Sequence, residues 1–155
     1  MLGNGTKEIF HKSNSPFSLL IHMNTNSIKS YNLCDYFLSR VQEILNNKKK
    51  RKENLEAALK SLKNQLIHFG ASKIILFGSL NSGDIEVNSD LDLFVLMPST
   101  KTGKLWTSYI YENLERYIAC DIIAYNEQEF EENKETNSFL SEILKTGKIV
   151  YEEKL

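Results

Sequence analysis

This chain contains KIILFGSLNSG at residues 73–83 and DLDLFVLM at residues 90–97, and these two segments set its predicted architecture. Each segment contains a short apolar run that is typical of a buried strand. Gly78 ends the first run, and Pro98 ends the second. Gly78 lets the backbone turn sharply and approach a ligand, and Ser79 adds a hydroxyl beside freed N–H donors. Residues 80–85 are predicted to form a helical turn whose N-terminus faces phosphates, with Gly83 as the residue that ends the turn. The sequence therefore predicts a phosphate-binding turn between two strands.

Two carboxylates lie one residue apart at the start of the second strand. Asp90 and Asp92 share one face of the strand predicted for residues 90–97, because side chains alternate across a strand. Their Cα atoms are then roughly 6.5 Å apart, which suits two acids that converge on one ion or on a pair of ions. Bare carboxylates this close repel each other, and a divalent cation removes that penalty. We therefore interpret Asp90 and Asp92 as metal ligands.

A third acid interrupts a later apolar segment. Residues 117–125 are predicted to form a strand whose only charged residue is Asp121. A lone charge inside a buried strand is costly unless it has a partner. We expect a metal ion already held by Asp90 and Asp92 to be that partner.

Together, these residues resemble the nucleotidyltransferase superfamily that includes DNA polymerase beta and kanamycin nucleotidyltransferase. The likeness is greatest to its small stand-alone members, the minimal nucleotidyltransferases, and it spans about residues 52–153. That family carries Gly-Ser, ten residues, Asp-x-Asp and a later lone Asp on a neighbouring strand; the matching positions here are Gly78, Ser79, Asp90, Asp92 and Asp121. Family members often have a small residue and then Arg before the second Gly, where this chain has Asn81 and Ser82.

The resemblance implies an enzyme that transfers a nucleoside monophosphate, AMP from ATP, to a hydroxyl group with the help of Mg²⁺, in the form of two ions. By the same resemblance, Asp90 and Asp92 would bind both ions. Asp121 would bind the catalytic ion and take the proton from the attacking hydroxyl. Gly78 and Ser79 would position the β- and γ-phosphates of the donor.

The acceptor and the partner follow from the resemblance as well. Minimal nucleotidyltransferases are often encoded beside a HEPN-type ribonuclease toxin, which they neutralise by attaching AMP to a tyrosine; this antitoxin role is our leading interpretation. About thirty residues follow Asp121, so we expect the acceptor surface to come from a homo-oligomer, from the N-terminal arm or from another protein. Two alternatives remain open: a small-molecule nucleotidyltransferase that acts on aminoglycosides, and a non-catalytic antitoxin module that only binds its partner.

The apolar periodicity predicts an α/β (α+β) fold with a small mixed β-sheet and helices packed on one face. Residues 33–155 form the expected nucleotidyltransferase domain with N-terminal helices, and residues 1–32 form a loosely ordered arm. The last predicted strand covers residues 148–151, and the four predicted helices cover residues 33–47, 51–69, 105–117 and 130–145.

The amino-acid composition limits the class of protein to which the chain can belong. With 155 residues, of which 41% are hydrophobic, the chain can form one domain with a normal core. The formal net charge is −1, but residues 1–77 carry 12 basic against 5 acidic residues and residues 78–155 carry 7 against 15. The run KKKRK at residues 48–52 resembles a nuclear import signal or a segment that binds nucleic acid, although a solvated helix end or linker is the interpretation we prefer.

The two cysteines, Cys34 and Cys120, show no metal-binding spacing and no disulfide framework. No apolar segment approaches the length of a membrane span. These features favour a reducing cytoplasm and exclude a membrane partner.

Overall fold

The structure is a computed structural model that describes residues 33–154. The predicted N-terminal arm, residues 1–32, lies outside the described residues. The sheet and the candidate site lie in the compact unit that begins at residue 40. The elements in chain order are α1 (Leu33–His68), β1 (Lys73–Phe77), α2 (Gly78–Ser82), β2 (Leu91–Met97), α3 (Gly103–Asn113), β3 (Cys120–Asn126), α4 (Glu127–Asn133), α5 (Ser138–Thr146) and β4 (Lys148–Glu152).

The four strands form one mixed sheet in the order β3-β2-β1-β4. Strand β1 is antiparallel to both of its neighbours, whereas β2 and β3 run parallel and are joined through α3. The mixed α/β fold class predicted from the sequence is confirmed. Because β1 ends where β2 and β3 begin, the turn after β1 and the first residues of both other strands meet at one edge of the sheet.

Apolar side chains cover both faces of the sheet. On one face, α1 and α3 contribute buried residues that include Leu62 and Ile110. On the opposite face, Leu140 and Ile143 of α5 pack with Ile75 and Phe94 of the central strands. The helices are therefore distributed over two faces rather than the one face expected, because central strands that are apolar on both sides need cover on both.

Helix α1 is continuous from Leu33 to His68, so the prediction of two helices separated by a basic linker is wrong. Lysine and arginine are good helix formers, and the segment contains neither Gly nor Pro. Two cations of the basic run also have partners in the segment before β2. Lys48 Nζ lies 2.5 Å from a Glu86 carboxylate oxygen, and Arg51 Nε donates to the Ser89 carbonyl at 2.8 Å.

The C-terminal helix predicted for residues 130–145 is instead two helices, α4 and α5. Asn126 and Glu129 form a capping box that starts α4 three residues earlier than predicted. Asn137 accepts a hydrogen bond from the Leu140 N–H and starts α5. Of the apolar side chains of α5, Phe139 is 54% exposed, whereas Leu140 is buried. None of the helices within residues 33–154 combines the length and apolar character that crossing a bilayer requires.

Leu62 of α1 is expected to carry much of the stability on the α1 face, since its side chain is 1% exposed. We expect Leu62→Ala to lower the free energy of unfolding by about 2–5 kcal/mol through lost burial and a residual cavity. Leu45→Ala is the matched control on the same helix, because Leu45 is exposed, and it should change this quantity by less than about 0.5 kcal/mol. Urea titrations followed by circular dichroism measure both; equal losses would show that α1 does not anchor the core.

Candidate active site

The turn after β1 brings the backbone against a carboxylate. Gly78 has φ +68°, a left-handed conformation that favours glycine, and a Cβ atom at this position would overlap the Asp92 carboxylate. Helix α2 begins at Gly78, and Phe77 before it provides no side-chain cap. The first N–H groups of α2 therefore have no acceptor within the helix. Gly83, at φ +90°, ends α2 as predicted, although the helix begins at Gly78 rather than at residue 80.

Two of the three predicted acids lie side by side. Asp92 of β2 and Asp121 of β3 are register partners, and Phe77 of β1 is the register partner of Asp92 on its other side. Since paired residues share a face of the sheet, both carboxylates project from the face that also carries Phe94. Adjacent strands lie about 4.8 Å apart, so the two carboxyl groups are close neighbours.

The expectation that Asp121 is buried is wrong, because Asp121 is exposed at the start of the edge strand β3. The cost of burying a charge therefore gives no reason to assign a cation to Asp121. The register that places it beside Asp92 is the observation that links it to the site.

Asp90 lies one residue before β2 and forms a different contact. Its Oδ1 atom is 3.6 Å from Nη2 of Arg51, and 48% of its side chain is exposed. The same guanidinium binds the Ser89 carbonyl, so α1 contacts the segment that leads into β2 at both residues. Sequence analysis missed Arg51 as part of this neighbourhood; its only signal was the basic run, which carries no information about a partner nearly forty positions away.

The negative charges around Asp92 affect one another. Burial, and then the charges of Asp121 and Asp90, raise the pKa of the Asp92 carboxyl above its ordinary value. Ionised Asp92 is thus held in an unfavourable field, and a bound cation would relieve it. The site carries an excess of negative charge that suits a positively charged ligand.

The described residues contain no group of three acids, histidines or cysteines close enough together to hold a metal ion by themselves. The structure brings Asp92 and Asp121 together, while Asp90 pairs with Arg51. Mg²⁺ usually takes one or two carboxylates and completes its shell with substrate phosphates and water. Two adjacent carboxylates supply hard oxygen donors, and they therefore fit a magnesium ion that arrives with a phosphate ligand.

Two contacts connect the turn to α5 on the same face. Asn81 Nδ2 donates to the Thr146 carbonyl at 2.9 Å, so one of the two positions that depart from the family pattern ties α2 to α5. The rings of Phe77 and Phe139 pack edge to face with their centroids 6.0 Å apart. Phe139 thus packs on the register partner of Asp92, a contact that the sequence pattern did not indicate.

Comparisons with known proteins bear on the same region. The family model described as "Polymerase beta, Nucleotidyltransferase" matches residues 56–154, which include the turn and all three acids. The crystal structure of a provisionally assigned nucleotidyltransferase from Sulfolobus solfataricus aligns with a TM-score of 0.44 at 14% identity, and covers 71% of this chain and 87% of that chain. No curated protein sequence gives a significant match.

Proposed function

The chain belongs to the polymerase beta nucleotidyltransferase family, and we propose that it transfers AMP from ATP to a hydroxyl group with Mg²⁺ bound at Asp90, Asp92 and Asp121. The pairing of Asp92 with Asp121 beside the Gly78 turn is the observation that supports this reaction most. The choice of ATP, and the assignment to the minimal nucleotidyltransferases, follow the resemblance described above.

The residues around the turn have separate tasks in the proposed reaction. The backbone N–H groups of α2 and the Ser79 hydroxyl hold the β- and γ-phosphates. Asp90, Asp92 and Asp121 would bind the magnesium, and Asp121 would also accept the proton of the attacking hydroxyl. The acceptor oxygen forms a bond to the α-phosphorus as the bond to pyrophosphate breaks. Bound Mg²⁺, as two ions, would neutralise phosphate charge during this exchange.

We propose a tyrosine of a HEPN-type toxin as the acceptor. The exposure of Asp90 and Asp121 supports a macromolecular acceptor, because a hydroxyl on another protein can approach them from solvent. The resemblance to minimal nucleotidyltransferases supports the toxin. The protein would then act as an antitoxin that modifies its partner.

Labelled ATP tests the reaction and the acceptor together. The protein is incubated with Mg²⁺, the product of the neighbouring gene and ATP labelled at the α- or the γ-phosphate. The proposal expects label from the α-position on a tyrosine of the neighbour, pyrophosphate release and no label from the γ-position. Transfer of the γ-phosphate label to the neighbouring protein would indicate a kinase and contradict the proposal.

The alternatives give different results in the same assay. Pyrophosphate release that depends on an added aminoglycoside would indicate a small-molecule enzyme. Neutralisation of the neighbour by a protein with Asn at positions 90, 92 and 121 would indicate a module that acts by binding alone. The absence of label transfer from every nucleoside triphosphate would overturn the proposed activity.

A further inference from the structure

Resting on the proposed function, we propose that Tyr111 is a positioning residue that fixes Asp121 by holding the residues on either side of it. The Ile122 N–H donates to the Tyr111 hydroxyl oxygen at 3.0 Å, and that hydroxyl donates to the Cys120 carbonyl at 3.4 Å. A single hydroxyl on α3 therefore bonds the backbone immediately before and immediately after the acid.

The direction of the backbone groups explains why this contact is available. The Leu91 N–H donates to the Ala119 carbonyl at 3.2 Å, so the Ala119 carbonyl faces β2. Because backbone groups alternate between the two sides of a strand, the Cys120 carbonyl and the Ile122 N–H face the opposite side. Within residues 33–154, β3 is an edge strand of the sheet and no further strand bonds to it on that side. The Tyr111 hydroxyl bonds these backbone groups instead.

The Tyr111 ring is itself held in place. It is partly buried and packs against the core cluster on the α1 face. The Arg116 guanidinium carbon lies 4.6 Å from the ring centroid, which is the arrangement of a cation–π contact. A side chain fixed by packing and by a second residue places its polar atom accurately.

Asp121 needs such support because the start of an edge strand is bonded to another strand on one side only, so it opens more readily than a central strand. The hydroxyl opposes this opening and keeps Asp121 in register with Asp92.

The test compares Tyr111→Phe with Tyr109→Phe. Tyr109 lies on the same helix, its ring packs on Trp106, and its hydroxyl bonds no other residue within 33–154. In Tyr111→Phe we expect kcat for AMP transfer to fall about tenfold with the KM for ATP within twofold of the parent protein, since a misplaced acid affects the reacting geometry more than binding. The Tyr109→Phe variant should match the parent in both constants.

A second measurement, made without nucleotide or metal, is hydrogen exchange of the Leu91 amide. Its bond to Ala119 reports whether the starts of β2 and β3 stay together, and we expect exchange about tenfold faster in Tyr111→Phe only. Unchanged Leu91 exchange, or a kcat within twofold of the parent, would overturn the positioning role and leave the hydroxyl as a local edge cap. Failure of the proposed function would appear differently, as a parent protein that transfers no nucleotide. That result would exclude both AMP transfer and the role of Tyr111 in it.

Discussion

Asp92→Asn is expected to reduce nucleotide transfer by about a thousandfold while the fold is retained. Asp92 is the one predicted acid that is adjacent both to the Gly78 backbone and to a second carboxylate, so its charge serves the cation and the phosphate turn together. Asparagine keeps the shape of the side chain and removes the charge. Initial rates with labelled ATP, measured over a range of Mg²⁺ concentrations, test the expectation.

The same substitution should raise stability slightly at neutral pH. The raised pKa of the Asp92 carboxyl means that its ionised form is disfavoured in the folded protein, so stability is lost as the pH rises through the folded-state pKa. The Asn variant has no such loss. Its melting temperature should therefore exceed that of the metal-free parent at neutral pH, and the difference should vanish below about pH 3.9, where the aspartate is protonated in both states.

Glu112→Gln is the control for this experiment. It makes the same change from carboxylate to amide at an exposed position of α3 and should leave both the rate and the melting temperature unchanged. If Asp92→Asn kept more than a tenth of the parent rate, Asp92 would not be a ligand of the catalytic cation. A loss of activity accompanied by a lower melting temperature would indicate a role in folding instead.

Gly78→Ala should abolish activity and destabilise the protein at once. The left-handed conformation at φ +68° costs a residue with a side chain about 1–2 kcal/mol, and the added methyl group would also displace the Asp92 carboxylate. Displacement of an acid by about 1 Å can reduce a rate about a hundredfold, so we expect at least that loss of transfer. Urea titration and the labelled-ATP assay measure the two effects.

Gly83→Ala separates the effect of backbone strain from the effect of a steric clash. Gly83 has φ +90°, but a Cβ atom there would meet nothing within 4 Å. This variant should show a similar loss of stability, about 1–2 kcal/mol, with activity close to that of the parent. Equal activity losses in both variants would mean that the contact between Gly78 and Asp92 has no part in the reaction.

Local pattern was sufficient to predict the strands. The apolar run ended by Gly78 gave β1 its observed bounds, Lys73–Phe77, and the predicted last strand differs from β4 by one residue. The spacing that predicted metal ligands at Asp90 and Asp92 could not reveal that α1 provides Arg51 as a partner for Asp90. That contact joins positions far apart in the chain and depends on how α1 packs. The roles of Asp90, Asp92 and Asp121 remain predictions.

Other differences arose where a local signal was misjudged. Asn137 could have indicated the start of α5, because asparagine is a preferred N-cap, but the apolar periodicity on either side favoured one helix. Five consecutive basic residues suggested a linker, although their intrinsic propensity favours a helix. Asp121 was predicted to be buried because its neighbours are apolar, yet side chains alternate across a strand, and Asp121 is exposed on the face opposite to the buried residues Cys120 and Ile122.

The parallel pairing of β2 with β3 has a consequence for synthesis of the protein. Residues 98–119, including α3, separate the two strands, so Asp92 meets Asp121 only after this whole crossover has been made and has packed. A nascent chain that has left the ribosome only as far as α3 contains the glycine turn and Asp92 but lacks the second carboxylate. The growing polypeptide is therefore unable to form the acid pair until translation has passed β3.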